Sequence, residues 1–317
     1  MLGNIIVSLA AGIISAVVLV AATQGSTLSL FAFIFLAPLP VTIVGFGWGW
    51  RSALFAAIVS AVAMTLFVTP NAGVSHLIAV GLPMAICSYL LMLNRATNEY
   101  NADGSPVIEW YPPGRVLGAL TLMAGSLAAI LLFSIAANES QLEIATREYT
   151  EQLELKLPDE MTADDFAKLM VRGLTPVAAT FWITVACFNL WLGAWVTEVS
   201  GRLARPWPDL SLMTLPNETP LALMLTVGLS FLPGYAGLIA LGFASAVLFA
   251  YIIVGLAIIH NITRGLAARP FILFMVYAGL LLLNPFSSII VAMIAIGEPI
   301  SPIRRRFQSS SPKDGGA

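Results

Sequence analysis

Apolar residues fall into long blocks along this chain, separated by short stretches that are polar or carry proline and glycine. A helix that crosses a bilayer needs about 20 mostly apolar residues, because its backbone must satisfy its own hydrogen bonds in hydrocarbon. Nine blocks are candidates: Ile5–Ala22, Leu28–Phe46, Ser52–Val68, Val74–Leu93, Val116–Ala137, Leu174–Thr197, Pro220–Leu232, Tyr235–His260 and Phe271–Gly297. Leu232-Pro233-Gly234 is a turn signal inside one apolar stretch, so a short helix followed by a long one is expected there. The pattern predicts an all-α, polytopic transmembrane helix bundle of eight spans plus a broken terminal segment.

Four regions follow. Residues 1–137 form an N-terminal five-span bundle, 138–173 an acidic extracytoplasmic helical segment, 174–303 a C-terminal membrane bundle, and 304–317 a basic and then disordered tail. In the acidic segment Leu142, Ala145, Tyr149 and Leu153 recur at helical spacing, with Glu143 and Arg147 as an i,i+4 pair. A second short helix is expected from the Thr162/Asp165 capping box to Gly173, with Phe166, Leu169 and Met170 on its apolar face.

Composition sharpens the class. The 317 residues are 58% hydrophobic and only 10% charged, with a mean hydropathy of +0.89. A soluble domain carries about 25% charged residues, so this chain lacks the polar residues to coat a water-facing surface. Met1–Asn4 holds no Lys or Arg, and the first apolar run reads as a retained membrane helix rather than a cleaved leader. Charge gives an orientation. Arg51, Arg95, Arg115, Arg202, Arg205, Arg264 and Arg269 all fall on the cytoplasmic side if the N-terminus is cytoplasmic, while Asn138–Gly173 is acidic and outside. A ninth full crossing would put Arg304-Arg305-Arg306 outside, and Asn284-Pro285 lies near the middle of that segment. A kinked crossing and a partly inserted hairpin both satisfy the pattern, and either break should face neighbouring helices or a wet cavity to satisfy its backbone.

Candidate chemistry is sparse. Pro38 and Pro40 interrupt the second span and Pro285 the last, and a helix-interior proline frees carbonyls that can bind a ligand or simply form a kink. Gly45-Phe-Gly-Trp-Gly-Trp50, followed by Arg51, reads as an aromatic belt at the interface. Small residues at four-residue spacing, Ser8, Gly12 and Ala16 in the first span and Ala236, Ala240 and Ala244 in the eighth, suit close helix packing or docking of another subunit. Asn189, near mid-membrane, together with Trp182 and Trp191, is a candidate substrate pocket or an interhelical hydrogen-bonding site, and Asn284 has the same two readings. Cys87 and Cys187 stand alone in apolar runs, so neither a disulfide framework nor a metal site is expected. His76 and His260 fall at the edges of spans, leaving no ionisable group well inside one, which argues against a proton pump. No catalytic residue set and no Walker loop is present, so an enzyme is not expected and no cofactor is implied.

Several short motifs, Pro38-Leu-Pro40 followed by Gly45 and Gly49, Leu215-Pro216 before a short span, Gly255-Leu-Ala-Ile-Ile-His260, and Gly297 followed by Arg304, resemble the uncharacterised YybS-like family of multi-pass bacterial membrane proteins. That family is distantly similar to the solute-binding S components of energy-coupling-factor transporters. The resemblance implies a bacterial inner-membrane subunit that captures a small solute, has no ATPase of its own, and partners the lipid bilayer, other membrane subunits or an energy-coupling module, with no nucleic acid. S components have fewer spans and lack the acidic outer segment. The competing expectation is a non-enzymatic scaffold for envelope or cell-shape assembly.

Overall fold

The computed structural model describes residues 2–24, 34–152 and 161–309. The start of the second span, Leu153 and the tail beyond Ser309 lie outside the described residues. The chain is mostly helical: α1 (Leu2–Gln24), α2 (Leu39–Trp48), α3 (Trp50–Phe67), α4 (Pro70–His76), a π-helical turn (Leu77–Gly81), α5 (Leu82–Met92), α6 (Pro113–Ile135), α7 (Glu139–Gln152), α8 (Ala163–Val199), α9 (Thr219–Leu229), α10 (Tyr235–Ile262), α11 (Arg269–Leu282), α12 (Phe286–Gly297) and α13 (Ile303–Ser309). Among the described residues six helical runs are long and apolar enough to cross a membrane: Leu2–Ala21, Trp50–Phe67, Pro70–Met92, Pro113–Ile135, Ala163–Val199 and Tyr235–Ile262. This is the make-up of a membrane-embedded protein.

The contacts divide the chain into two units, Met1–Val116 with Trp182–Trp207, and Leu117–Phe181 with Pro208–Ala317. In the first, α1 packs on α3 through small residues. Ser8, Ala11, Ser15 and Ala16 are buried on one side and Ala53, Ala56, Ala57 and Ser60 on the other. A Cβ on Gly12 would stand 2.5 Å from the Ala56 carbonyl oxygen, so the stripe anticipated for close packing is used within this chain.

An antiparallel hairpin, β1 (Asn94–Tyr100) and β2 (Pro106–Trp110), fills what reads in the sequence as a plain loop. Its turn carries Asp103 and Gly104, the latter at φ +78°. Arg205 holds its base. The buried guanidinium donates to the carbonyls of Leu91 (2.7 Å) and Tyr111 (3.1 Å) and lies 5.8 Å from the Trp110 ring centre.

The fourth span begins earlier than its apolar run. Thr69 caps α4 by accepting from the Ala72 amide at 3.1 Å, and Pro70 takes the first helical turn, so Pro70–Gly73 is helix rather than loop. His76 therefore lies inside a continuous helical run to Met92 and is only 2% exposed, which corrects its expected place at the edge of a span.

In the second unit, Leu132, Leu142, Val171 and Leu238 form a buried cluster that seats α7 on α6, α8 and α10. Thr162 caps α8 as its sequence predicts, accepting from the Asp165 amide at 3.1 Å. The helix does not stop at Gly173, however. It runs 37 residues through Pro176 to Val199, about 55 Å at 1.5 Å per residue, which is longer than a hydrocarbon core about 30 Å thick. Gly173 satisfies the sequence rule for a helix end, but only a left-handed residue there would terminate the helix. The packed face also differs from expectation, being Ala167 and Val171, with Leu169 and Met170 outward. Arg147 pairs with Asp164 at 3.0 Å.

Two short helices flank α10. Chain runs from Asp209 and Ser211, beside its C-terminal end, through α9 to Gly234 at its N-terminal end. Asn261 donates to Ser211 Oγ at 3.0 Å, and Arg264 makes two 2.7 Å bonds to Asp209. At the opposite end Tyr235 donates to the Ala136 carbonyl at 2.9 Å, near Glu139. On the eighth-span stripe Ala240 and Ala244 are buried while Ala236 is exposed; the tight approaches are at Gly237, which faces Leu232, and Gly255, which faces Val291.

The last apolar segment is interrupted at Leu283–Pro285, as Pro285 predicts. After the break α12 packs along α10, and Arg304 returns to donate to the Met213 carbonyl at 2.9 Å. The tail thus comes back to the α10 end that carries Arg264. Instead of facing neighbouring helices, the break is exposed, from Leu281 to Phe286. It satisfies its polar groups locally: Ser287 donates to the Gly279 carbonyl at 2.8 Å and Ser288 to Asn284 Oδ1 at 2.9 Å.

Candidate functional site

Prolines create the polar chemistry of the first unit. Pro83 has no N–H for the Ala79 carbonyl, and the helix opens into the π-helical turn just before it. The Trp182 indole N–H fills that vacancy, donating to Ala79 O at 2.7 Å. Pro38 and Pro40 open a turn at Ala37-Pro38 in the second span. There the Asn189 amide donates to the Phe35 carbonyl at 2.6 Å, and the Ser15 hydroxyl to the Ala37 carbonyl at 2.7 Å. Trp182 and Asn189 stand seven residues apart on one face of α8, so two turns of a single helix serve two interrupted helices.

Two buried side-chain atoms of this unit are left over among the described residues. Asn189 is 0% exposed, and its second amide hydrogen goes to the Val185 carbonyl at 2.8 Å, so both donors are engaged while Oδ1 has no partner among the described residues. His76 Nε2 lies 3.3 Å from Ser15 Oγ. The single hydroxyl hydrogen of Ser15 is directed at Ala37, so Nε2 carries the hydrogen of this pair in the neutral ring, and Nδ1 is a bare acceptor with no partner among the described residues. Both orphan atoms are therefore acceptors, and the broken helix links them: His76 through Ser15 to Ala37, Asn189 to Phe35. An unsatisfied buried acceptor costs about 1–3 kcal/mol, a penalty that an incoming N–H or O–H donor removes.

Comparison with protein-family models, curated proteins and solved structures finds no match. Function must be argued from the geometry.

The other residues singled out from sequence lie elsewhere. Trp191 is 48% exposed and packs at 6.2 Å against Phe188, which meets Phe35 edge-on at 6.1 Å. Asn284 belongs to the second unit, at the exposed break between α11 and α12. Ser15 and His76 join the polar groups at the break without a sequence motif of their own. Ser15 is one position from the small-residue stripe, and the Thr69-Pro70 start signal would have placed His76 within a helix. Among the described residues no cluster of His, Cys, Asp and Glu could hold a metal ion, and Cys87 and Cys187 are free thiols.

Proposed function

We propose that this protein is a solute-binding subunit of a membrane transport system, with its site around the broken second span of the first unit. The observation that carries this reading is the pair of buried acceptors without a partner among the described residues, Asn189 Oδ1 and His76 Nδ1, linked to the break through the Phe35 and Ala37 carbonyls. Interrupted helices with polar groups at mid-depth are how membrane transporters build binding sites. Two acceptors select a small solute that presents N–H or O–H donors. Trp182 and Ser15 hold the interrupted helices in place, and the Phe35, Phe188 and Trp191 rings flank the Asn189 side.

In this reading there are eight crossings, with the β hairpin between the fourth and fifth and α7 in the extracytoplasmic segment between the fifth and sixth; α9 is the short helical part of the seventh, and α11–α12 is a partly inserted hairpin with a cytoplasmic tail. At 14 and 12 residues each arm is about 18–21 Å long, short of a bilayer core of about 30 Å. The N-terminus is cytoplasmic and the membrane is the bacterial inner membrane. Energy comes from a separate coupling module, in keeping with the resemblance to S components.

Native mass spectrometry of the protein purified in mild detergent tests this. A small donor-bearing solute should remain bound to the wild type and be lost from His76→Phe, which removes the acceptor without touching the Asn189 bonds. A bare wild-type mass, unaltered by solute panels and identical in behaviour to His76→Phe, would sink the reading and leave the scaffold alternative.

A further inference from the structure

A second feature of the first unit stands independently of the solute site. Between α2 and α3 the chain turns through Gly49 at φ +90°, and beside this turn lies an open cavity of about 340 Å³, lined by Gly47, Trp50, Tyr89, Met92, Leu93 and Arg202, among others. That volume is at the lower end of small-molecule sites, roughly 300–1,000 Å³. Its walls differ in character. Tyr89 meets Trp50 edge-on at 5.6 Å, and with Phe46, Met92 and Leu93 these rings make an apolar flank. Arg202 supplies the cation of the lining; its guanidinium lies 4.6 Å from the Trp48 ring centre, while Arg51, outside the lining, lies 5.5 Å from that of Trp50.

The described ion pairs are Arg95–Glu109, Arg147–Asp164 and Arg264–Asp209, so neither Arg202 nor Arg51 has a carboxylate partner among the described residues. Glu198, four positions before Arg202, does not pair with it. The N-terminus of the 18-residue α3 opens beside the cavity at Trp50, adding the positive end of a helix dipole. The segment sits where the sequence places the aromatic belt between hydrocarbon and water.

We propose that this cleft binds the headgroup phosphate of an anionic phospholipid, with Arg202 as its principal ligand and an acyl chain along Phe46, Tyr89 and Met92. A guanidinium is suited to the task because its planar fork can donate two parallel bonds to a phosphate, and the Trp48 ring fixes its plane beforehand. A free phosphate ion could use the same cation but gains nothing from the apolar flank.

The test uses the full chain in a nonionic detergent, with native mass spectrometry of complexes formed with phosphatidylglycerol or with phosphatidylcholine of the same acyl chains. Phosphatidylglycerol should be retained in preference. Arg202→Gln should weaken that retention about tenfold, the loss of one charge-assisted hydrogen bond, and Arg202→Lys should fall between. Arg95→Gln, the same charge change on the hairpin outside the cleft, should leave retention unchanged. Equal retention of both lipids overturns the proposal, as does equal behaviour of Arg202→Gln and Arg95→Gln. Displacement of bound phosphatidylglycerol by inorganic phosphate at comparable concentration overturns the assignment to a lipid. Should Arg202→Gln fail to elute as a folded species, the comparison of Arg202→Lys with Arg95→Gln decides.

Discussion

Replacing Gly12 with leucine should damage this fold more than any other single change on α1. A Cβ at Gly12 would lie 2.5 Å from the Ala56 carbonyl oxygen and 2.7 Å from the Val59 Cβ. Comfortable carbon contacts begin at about 3.5 Å, so even alanine requires α1 to move away from α3 by roughly 1 Å. Separation loosens the buried contacts of Ser8, Ala11 and Ala16 and lengthens the Ser15 bond to Ala37. Overpacking of this kind costs about 1–3 kcal/mol, whereas leaving glycine in a helix interior recovers up to about 1 kcal/mol of propensity. The net expectation is about 1 kcal/mol for Gly12→Ala and about 3 kcal/mol for Gly12→Leu, whose extra carbons enlarge the collision. Gly3→Leu is the control, because nothing lies within 4 Å of its new Cβ. Reversible unfolding in mixed micelles of mild detergent and dodecyl sulfate, followed by tryptophan fluorescence, reads the difference. If Gly12→Leu unfolds at the same dodecyl sulfate fraction as Gly3→Leu, the close-approach argument is wrong.

Three further outcomes follow. Trp182→Phe takes from the Ala79 carbonyl the indole donor that stands in for the missing Pro83 N–H and should lower stability by about 1–3 kcal/mol in the same assay; no change would mean that the π-helical turn satisfies itself. Hydrogen bonds from Arg264, then from Ser211, hold the Asp209 carboxyl well below the usual carboxylate range. A carboxylate with a depressed folded pKa contributes stability above its unfolded value and loses it as pH falls through the folded one. The stability gap between wild type and Asp209→Asn should therefore stay constant from about pH 5 to 8 and close only below about pH 4; a gap that changes between pH 6 and 8 would contradict the assignment. Cysteines introduced at Asp103 and Arg305 should react with a membrane-impermeant maleimide only after cells are opened, and one at Glu148 in intact cells; a reactive Arg305 site in intact cells would make the last segment a crossing rather than a hairpin.

Much of this architecture is legible in the sequence because apolar runs, prolines and caps act locally. Pro233-Gly234 does separate α9 from α10, Pro285 does break the last segment, and Thr162 does start α8. The β hairpin was hidden because its strands are short, polar and largely exposed, with no alternating apolar face; Asp103-Gly104 was its one local signal. Gly173 and Pro176 resemble a helix terminus, but the buried bond from Thr175 Oγ1 to the Leu238 carbonyl, 2.6 Å long, belongs to tertiary packing that no local rule reports. The polar core was half visible. Asn189 and Trp182 stand out by residue type, but which carbonyls they meet depends on where Pro38, Pro40 and Pro83 place them in three dimensions. His76 was misplaced because its neighbourhood, Asn71-Ala-Gly73, looks like a loop until Thr69 and Pro70 are read as a cap.

The hairpin also has a practical use. Its base is clamped by the two hydrogen bonds from Arg205, while its tip closes on itself through bonds between Asn101, Asp103 and Ser105, with no atom within 4 Å of a Cβ added to Gly104. Guest sequence tolerated at exposed turns of this kind would emerge from a stiff mount rather than a slack tether. A small rigid domain inserted after Gly104 would provide an alignment marker for electron cryomicroscopy of the protein in detergent.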